Sequence, residues 1–409
     1  MGPAAWTWMV YLAGDNNLEG AGNDDLKEMQ QVGSSERVNV IVQFDTEVKG
    51  TTRYRVEKNA LATIEKMPGV DTGDPKVLAK FIQWTIAKYP AEHYLVDIWN
   101  HGGGWENLPP DYDYEELRST KPARAARLKR LKRSVFRTTA EEVLKRPPLN
   151  GALSRAVAID TGSQDYLDNQ ELKHALSDGF GPMSKADIFG CDACLMNMLE
   201  IAYEMRTTAQ YMVGSEQTEP NAGWPYAAIL NKLAARPNMS PADLARTIAQ
   251  EYGAWYQARG TGADGSATQS ALNLGKLSNI VTAVDDLARA LISELPSIAG
   301  AILVAKTGTQ KFEYPEYIDL GSFVTQLQAK LPANSKAKAA TAAVHSALMP
   351  PGNEFVMANA IWGKSVGRAT GVSIYFPQPE DYSPDYDALE LSKTGKWMPF
   401  LKAFNNAVK

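Results

Sequence analysis

At 409 residues, 44% hydrophobic and 22% charged, the chain has the balance of an ordinary folded protein, which excludes disorder throughout. A formal net charge of -5 excludes a general attraction to nucleic acid or to an anionic membrane, so any basic recognition feature must be local. No run of 18 apolar residues predicts a membrane span, two cysteines, Cys191 and Cys194, exclude a disulfide framework and a four-cysteine zinc site, and with four scattered histidines no metal cluster is expected.

Met1 to Trp8 lacks a basic segment before an apolar stretch and does not read as a signal peptide, although a cytosolic chain and one whose leader has been removed read alike here. Apolar runs bounded by turn residues predict strands at Thr7 to Ala13, Val38 to Phe44, Tyr94 to Trp99 and Asp187 to Cys191, with a shorter one at Met212 to Gly214. Between them, Leu18 to Val32 and Pro75 to Tyr89 have amphipathic helical spacing, the second opened by Asp74 as N-cap and Pro75 at the first helical position. This alternation predicts an α/β fold with a mostly parallel central sheet. Pro241 to Leu295 and Leu320 to Leu348 read as long helices, and a late strand at Val372 to Phe376, closed by Pro377, is expected to return to the sheet. The chain thus divides into an α/β core over 1–235, with a basic insertion near 112–150, and a mostly helical part over 236–409. No heptads stand out, and the oligomeric state is unreadable.

Within that insertion, Arg118 to Arg137 holds nine basic residues and no acidic one. Such a run is ordinarily a solvated surface segment. With Phe136 its single aromatic, it carries no stacking platform, and no nucleic-acid partner is expected.

Two motifs carry chemistry. The strand at Tyr94 runs into Asn100-His101-Gly102-Gly103-Gly104-Trp105, which puts a histidine at a strand's carboxyl end. There, parallel sheets bind ligands, and glycines let backbone amides approach one oxygen. A loose turn with His101 packed on the sheet edge is the competing reading. The second strand leads through Cys191-Asp192-Ala193-Cys194 into a helical pattern from Leu195 to Met205, which predicts Cys194 at a helix N-terminus where the dipole favours thiolate. A thiol facing a histidine across strand ends is what nucleophilic catalysis needs. A C-x-x-C redox pair and an inert buried pair are the alternatives, and Cys191 reads as a core residue.

With those two motifs, the sequence resembles the clostripain-like cysteine peptidases, in the clan that includes gingipains, legumains, separases and caspases. Supporting matches are Trp8 to Glu19, Gly223-Trp224-Pro225-Tyr226, Tyr317-Ile318-Asp319-Leu320 and Gly371 to Pro377. The resemblance implies a caspase-like α/β/α sandwich with helical C-terminal additions. It implies Cys194 as nucleophile, His101 as general acid/base, and the Gly102 and Cys194 amides as oxyanion donors. Asp192 corresponds to a pocket carboxylate that selects Arg or Lys before the cut; capping the following helix is its structural alternative. Expected partners are protein or peptide substrates with basic residues. Self-cleavage is expected in the loop between the motifs, with Arg130, Lys132, Arg133 and Arg137 as candidates and Lys145-Arg146 disfavoured by Pro147. Family habit implies secretion or the cell envelope. No cofactor is required, and calcium, used by some relatives, finds no D-x-D-x-D-G loop here. Cys191 beside the motif and the long interval from Gly104 to Asp192 depart from the family pattern. A silent protein of the same fold that holds basic peptides is the reading from another class.

Overall fold

The computed structural model describes residues 2–105, 157–181, 184–259, 265–348 and 354–408. The strands among these are β1 Ala4–Gly14, β2 Val38–Thr46, β3 Thr51–Glu57, β4 Ala60–Met67, β5 Ala91–Trp99, β6 Val157–Asp160, β7 Asp165–Leu167, β8 Ala186–Asp192, β9 Ala209–Gly214, β10 Ala267–Asn273, β11 Tyr317–Asp319, β12 Val356–Trp362 and β13 Ser373–Tyr375. The helices are α1 Glu19–Gln30, α2 Pro75–Lys88, α3 Asn169–Phe180, α4 Leu199–Met205, α5 Tyr226–Ala235, α6 Pro241–Arg259, α7 Leu277–Gly308, α8 Leu320–Lys330, α9 Lys336–Leu348, α10 Glu390–Thr394 and α11 Trp397–Val408.

Nine of the described strands form one sheet in the order β12-β10-β9-β8-β5-β1-β2-β3-β4. The five central strands, β9 to β2 in that order, run parallel, and two antiparallel strands flank them on each side. Every residue of β1 is buried, because a central parallel strand is covered on both faces, and its run AAWTWMVYLA is accordingly apolar without alternation. One face packs against α1, α5 and α6, through Leu26, Met29, Ile229, Leu233, Ile248 and Tyr252. The opposite face packs against α2, α3, α4 and the C-terminal helices, through Phe81, Ile82, Leu172, Ile201, Leu287 and Phe404. The architecture is an α/β/α sandwich.

Asp74 accepts from Lys76 N at 2.9 Å as the expected N-cap of α2. Within the main sheet, β3, β4, β10 and β12 escape the apolar-run criterion. β3 and the edge strand β4 carry Arg53, Arg55, Glu65 and Lys66 in their sequences, and β10 buries Thr268, Gln269 and Ser270 rather than large apolar side chains. β10 interrupts the stretch expected to be helical from Pro241 to Leu295, and with β12 it extends the main sheet. The late strand expected at Val372 to Phe376 is present as β13, but it pairs with β11 in a separate two-stranded sheet instead of returning to the main one. Its Ser373 bridges in parallel to Met198, which holds this three-residue strand beside the start of α4 and away from the main sheet. The span Leu274–Gly308, which contains α7, is long and apolar enough to cross a membrane by length and composition alone. Its residues Leu277, Ile280, Val284, Leu287, Leu291, Ile298 and Ile302, at spacings of three, four and seven, are buried in the core, the pattern of a helix seated on a protein interior.

Beneath the site, α4 is anchored by a buried acid. Glu200 Oε1 accepts from Tyr375 N at 3.0 Å and from Tyr386 OH at 2.8 Å, while Oε2 has no hydrogen-bond partner. Burial pushes Glu200 up to about 7 from the usual 4.5, despite the opposing hydrogen bonds. A carboxyl raised in the folded state contributes stability that is fully present below its unfolded value and is lost as pH rises through the folded one. Urea midpoints should therefore fall between pH 5 and pH 8 by the equivalent of at most about 3 kcal/mol. In Glu200→Gln, which keeps a neutral acceptor for Tyr375, this slope should flatten; an unchanged slope would assign the pH dependence to other groups.

Candidate active site

The register of β5 on β8 sets Ile98 beside Cys191 and Trp99 beside Asp192. Asn100 N donates to Asp192 O at 3.4 Å, so the ladder extends one step past the strands. The two chains then leave the sheet side by side at its carboxyl edge, one carrying His101 and the other Cys194. Contact between the excursions is close: a Cβ on Gly102 would lie 2.4 Å from Cys194 O and 3.1 Å from Cys194 N. Glycine is needed at 102 for approach. At Gly104 it is needed for conformation, since φ is +73° and a Cβ would meet Tyr317 at 2.7 Å. Gly103 O accepts from Tyr317 OH at 2.9 Å, and Trp105 is locked edge-on against Tyr375 and Tyr386, with ring centroids 4.6 and 5.1 Å apart. Three glycines followed by a tryptophan thus form a built loop.

His101 is buried and its ring is positioned by Asn17, whose Oδ1 lies 2.8 Å from Nε2. An amide oxygen accepts, so this contact keeps a proton on Nε2 and fixes the ring plane. Asn17 is itself presented by the turn after β1. Neighbouring Asn16 donates from Nδ2 to Ala13 O at 3.1 Å and to Ile159 O at 2.8 Å, and accepts from Leu18 N at 2.9 Å. Asn100 crosslinks the same elements: its Oδ1 accepts from His101 N at 2.6 Å and Ile159 N at 3.0 Å, and its Nδ2 donates to Ala13 O. Two buried asparagines therefore tie β1, β5 and β6 together beneath the histidine.

Cys194 is also buried, and its Sγ accepts from Glu219 N at 3.2 Å, a contact that favours the thiolate. The helix expected at Leu195 begins only at Leu199, so the helix dipole does not act on Cys194. Instead Leu195 takes φ +63°, an uncommon left-handed conformation for a branched residue, and turns the chain sharply after the thiol. Hydrogen bonds from Leu195 N to Gln217 O (3.3 Å) and from Asn197 N to Ser215 O (2.9 Å) hold this turn against the segment after β9.

Asp192 is buried on the opposite face of β8 from Cys191, against Trp224 and Tyr226. Its Oδ2 accepts from Trp224 N at 3.2 Å and from Tyr226 OH at 2.9 Å. The same hydroxyl lies 3.0 Å from Asp97 Oδ2, so one proton is shared between two carboxylates. Asp192 does not cap α4, whose N-cap is Met198 with no side-chain hydrogen bond. Cys191 is a free, buried thiol of the β8 core, pushed well up by burial and then by Asp97, Glu219 and Asp192, and is chemically quiet. The helix that a redox pair would open starts only at Leu199, so Cys194 does not stand at its N-terminus, and this geometric support for the C-x-x-C redox reading is missing.

Sequence reasoning assigned no role to Asn17 or Glu219. Asn17 had a signal in the polar Asp15-Asn16-Asn17 that ends an apolar strand; Glu219 acts through its backbone amide and had none. Arg130, Lys132, Arg133 and Arg137, together with the basic run around them and Lys145-Arg146, lie outside the described residues. For a metal, the described residues offer one group of three, Asp15, Asp45 and Asp160, with one ligand oxygen from each within 4.8 Å of the others.

The clostripain family model matches residues 10–115 and 148–404. Clostripain from Hathewaya histolytica is 24% identical over 340 residues, which cover 70% of this chain and 56% of that protein; the chain thus spans little more than half of that relative's length. Among solved structures, a secreted cysteine protease from Bacteroides thetaiotaomicron superposes with a TM-score of 0.68 at 15% identity, covering 96% of this chain and 99% of that one. An inactive zymogen protease from Parabacteroides distasonis gives 0.65 at 19% identity, with 96% and 98% covered. These likenesses establish a shared fold, the caspase-like sandwich.

The contact at Gly102 is directly testable. Gly102→Ala should separate the two excursions, lowering thermal stability by about 1–3 kcal/mol and slowing alkylation of Cys194 by a small thiol reagent. Unchanged alkylation kinetics and stability, followed by intact mass and calorimetry, would show that the loops do not depend on this approach.

Proposed function

The chain belongs to the clostripain family, and from that premise we propose that it is a cysteine endopeptidase cutting after Arg or Lys, with Cys194 as nucleophile and His101 as acid/base. The observation that carries the reading is the β5–β8 register, which delivers a buried thiol and a positioned imidazole to the same sheet edge.

The Cys194 thiolate attacks the peptide carbonyl, and a tetrahedral oxyanion forms against the backbone amides of Gly102 and Cys194. His101 gives its proton to the leaving amine, which departs with the C-terminal fragment and leaves a thioester. Water then attacks the thioester while His101 takes its proton, and the acid product and thiolate are released. Asn17 holds the imidazole in one tautomer through both half-reactions. Asp192 receives the basic side chain: a carboxylate already anchored by Trp224 N and Tyr226 OH is preorganised to bind a guanidinium or ammonium. Protein or peptide substrates follow from this chemistry.

We further propose activation by self-cleavage in the basic segment between the motifs, at Arg130, Lys132, Arg133 or Arg137. Support comes from the match of that segment's side chains to the proposed specificity, and from burial of both His101 and Cys194 in the intact chain. Secretion or residence at the envelope is proposed from the relative described as a secreted protease.

Fluorogenic peptides ending in Arg, Lys, Asp or Leu test the assignment. Wild type should cut the basic pair alone and Cys194→Ala should cut none, with a chain break between His101 and Cys194 seen only in wild type. Asp192→Asn should lower kcat/KM on basic peptides by roughly 100-fold or more. If wild type, supplied with reductant and calcium, cuts nothing yet binds a basic peptide, the chain is a binding protein on a peptidase fold. Asn17→Ala should lower kcat by about 10- to 100-fold with KM little changed, and shift the pH–rate profile. A loss confined to KM would instead place Asn17 in substrate binding.

A further inference from the structure

Two buried acids meet one hydroxyl on the face of the sheet covered by α5. Asp97 lies within β5 beside Gly190 of β8, and Asp192 follows Gly190 by two residues, so both carboxyls point to the same face. Tyr226, the first residue of α5, places its OH 3.0 Å from Asp97 Oδ2 and 2.9 Å from Asp192 Oδ2. Asp97, Asp192 and Tyr226 are all fully buried. Trp8 Nε1 donates to Asp97 Oδ2 at 3.4 Å, and Trp224 N donates to Asp192 Oδ2 at 3.2 Å. Aromatic rings enclose the group: the Tyr226 ring lies 5.7 Å from that of Trp8 and 6.4 Å from that of Trp224, centroid to centroid. Room for this packing comes from Gly190, where a Cβ would lie 2.9 Å from the Trp224 ring and 3.4 Å from Asp97 Oδ1.

The hydroxyl's single proton serves one carboxylate at a time. Its oxygen meets the other acid attractively only when that acid brings a proton of its own. Two ionised carboxylates against one buried oxygen would repel each other where each already bears the cost of leaving water. The surroundings decide which acid is neutral. Asp192 stands at the end of its strand and accepts from a backbone amide, a donor that favours the anion. Asp97 stands inside the sheet beside Trp8 and Tyr226, and the indole donor that it meets is the longer contact.

We infer that Asp97 and Tyr226 are positioning residues for the side chain that precedes the cut: Asp97 is a neutral acid that donates to the Tyr226 hydroxyl, and the hydroxyl in turn donates to Asp192, the one anion of the three. This inference rests on the peptidase reading and on Asp192 as the pocket carboxylate. The pocket then holds one negative charge for the one positive charge of an arginine or lysine side chain. Were Asp97 ionised as well, a second buried charge would stay uncompensated beneath every bound substrate. The relay also aims Asp192, because a hydroxyl that accepts from Asp97 has its own proton directed at Asp192 Oδ2. Neither Asp97 nor Tyr226 touches the reacting bond, so both act on substrate binding through Asp192.

The test compares steady-state cleavage of an Arg-ending fluorogenic peptide by the full chain and its variants at pH 7.5, with rates expressed per thiol titrated by an irreversible cysteine reagent. Tyr226→Phe, which keeps the ring and removes the hydroxyl, should raise KM by about tenfold or more and leave kcat within about twofold. Asp97→Val should raise KM similarly, and Asp97→Asn, whose amide can donate as a neutral acid does, should recover all but about threefold of that loss. An unchanged KM in Tyr226→Phe, a loss falling on kcat, or an Asp97→Asn no better than Asp97→Val overturns the relay while the peptidase reading stands. Wild type that cuts no basic peptide overturns the peptidase reading, and the pocket role falls with it. The proton is read separately, without cleavage: the infrared difference between wild type and Asp97→Asn should show the loss of one protonated-carboxyl C=O band. No band lost means that Asp97 is ionised, and the inference fails.

Discussion

The parallel pairing of β5 with β8 is the constraint on which the rest depends. It is a backbone matter, hydrogen bonds running from Leu95 beside Ile188 to Trp99 beside Asp192, and it determines the height at which each chain leaves the sheet. His101 and Cys194 each lie two residues past the last pair, so equal excursions carry them to one place. The side chains around them then fix orientation. Asn16 and Asn100 tie the ends of β1 and β6 to the histidine loop, and Gly102 lets that loop press on the Cys194 backbone.

Around this edge the protein buries many acids. Asp97, Asp192, Glu200, Glu216 and Asp319 are all fully covered. They are held by hydroxyls and backbone amides more than by cations, as at Asp192 with Tyr226 and Trp224, or Asp319 with Thr370 and Ser322. Burial drives Glu216 well above the ordinary carboxyl range, and the neighbouring Asp319 raises it further, which keeps a proton between the two. That proton links the segment after β9, which supports Cys194 through Glu219 N, to the start of α8, and Glu216 Oε2 accepts from Gly371 N at 2.9 Å. The C-terminal part is thereby coupled to the site it does not itself contain. Such networks are costly when broken, because each acid left without its partner stays buried.

The later half of the chain also completes the sheet. β10 and β12 cover the exposed side of β9, and β13 bridges to Met198 just before α4. A boundary drawn at residue 235 from composition therefore cuts through a continuous sheet. Its cause is local: β10 reads ATQSALN, and its buried polar residues are satisfied by partners distant in sequence, such as Ser215 Oγ at 2.8 Å from Thr268 Oγ1 and Asn359 Oδ1 accepting from Ser270 at 2.9 Å.

What the sequence determined by itself was whatever rests on local pattern. Unbroken apolar runs marked the parallel strands β1, β2, β5 and β8, since only doubly covered strands tolerate them, and Asp74-Pro75 marked the start of α2. The two motifs at successive strand ends located His101 and Cys194. Tertiary structure alone decided where α4 begins, because Leu195 in a left-handed conformation is held by Gln217 and Ser215 lies opposite Asn197, contacts no window of sequence contains. It alone decided that Asn17 faces His101, that Glu219 serves Cys194 through a backbone amide, and that Asp15, Asp45 and Asp160 meet. Each of these joins residues from separate strand ends, and what brings strand ends together is hydrogen-bond register across the sheet, a property of pairs of strands that no single segment carries.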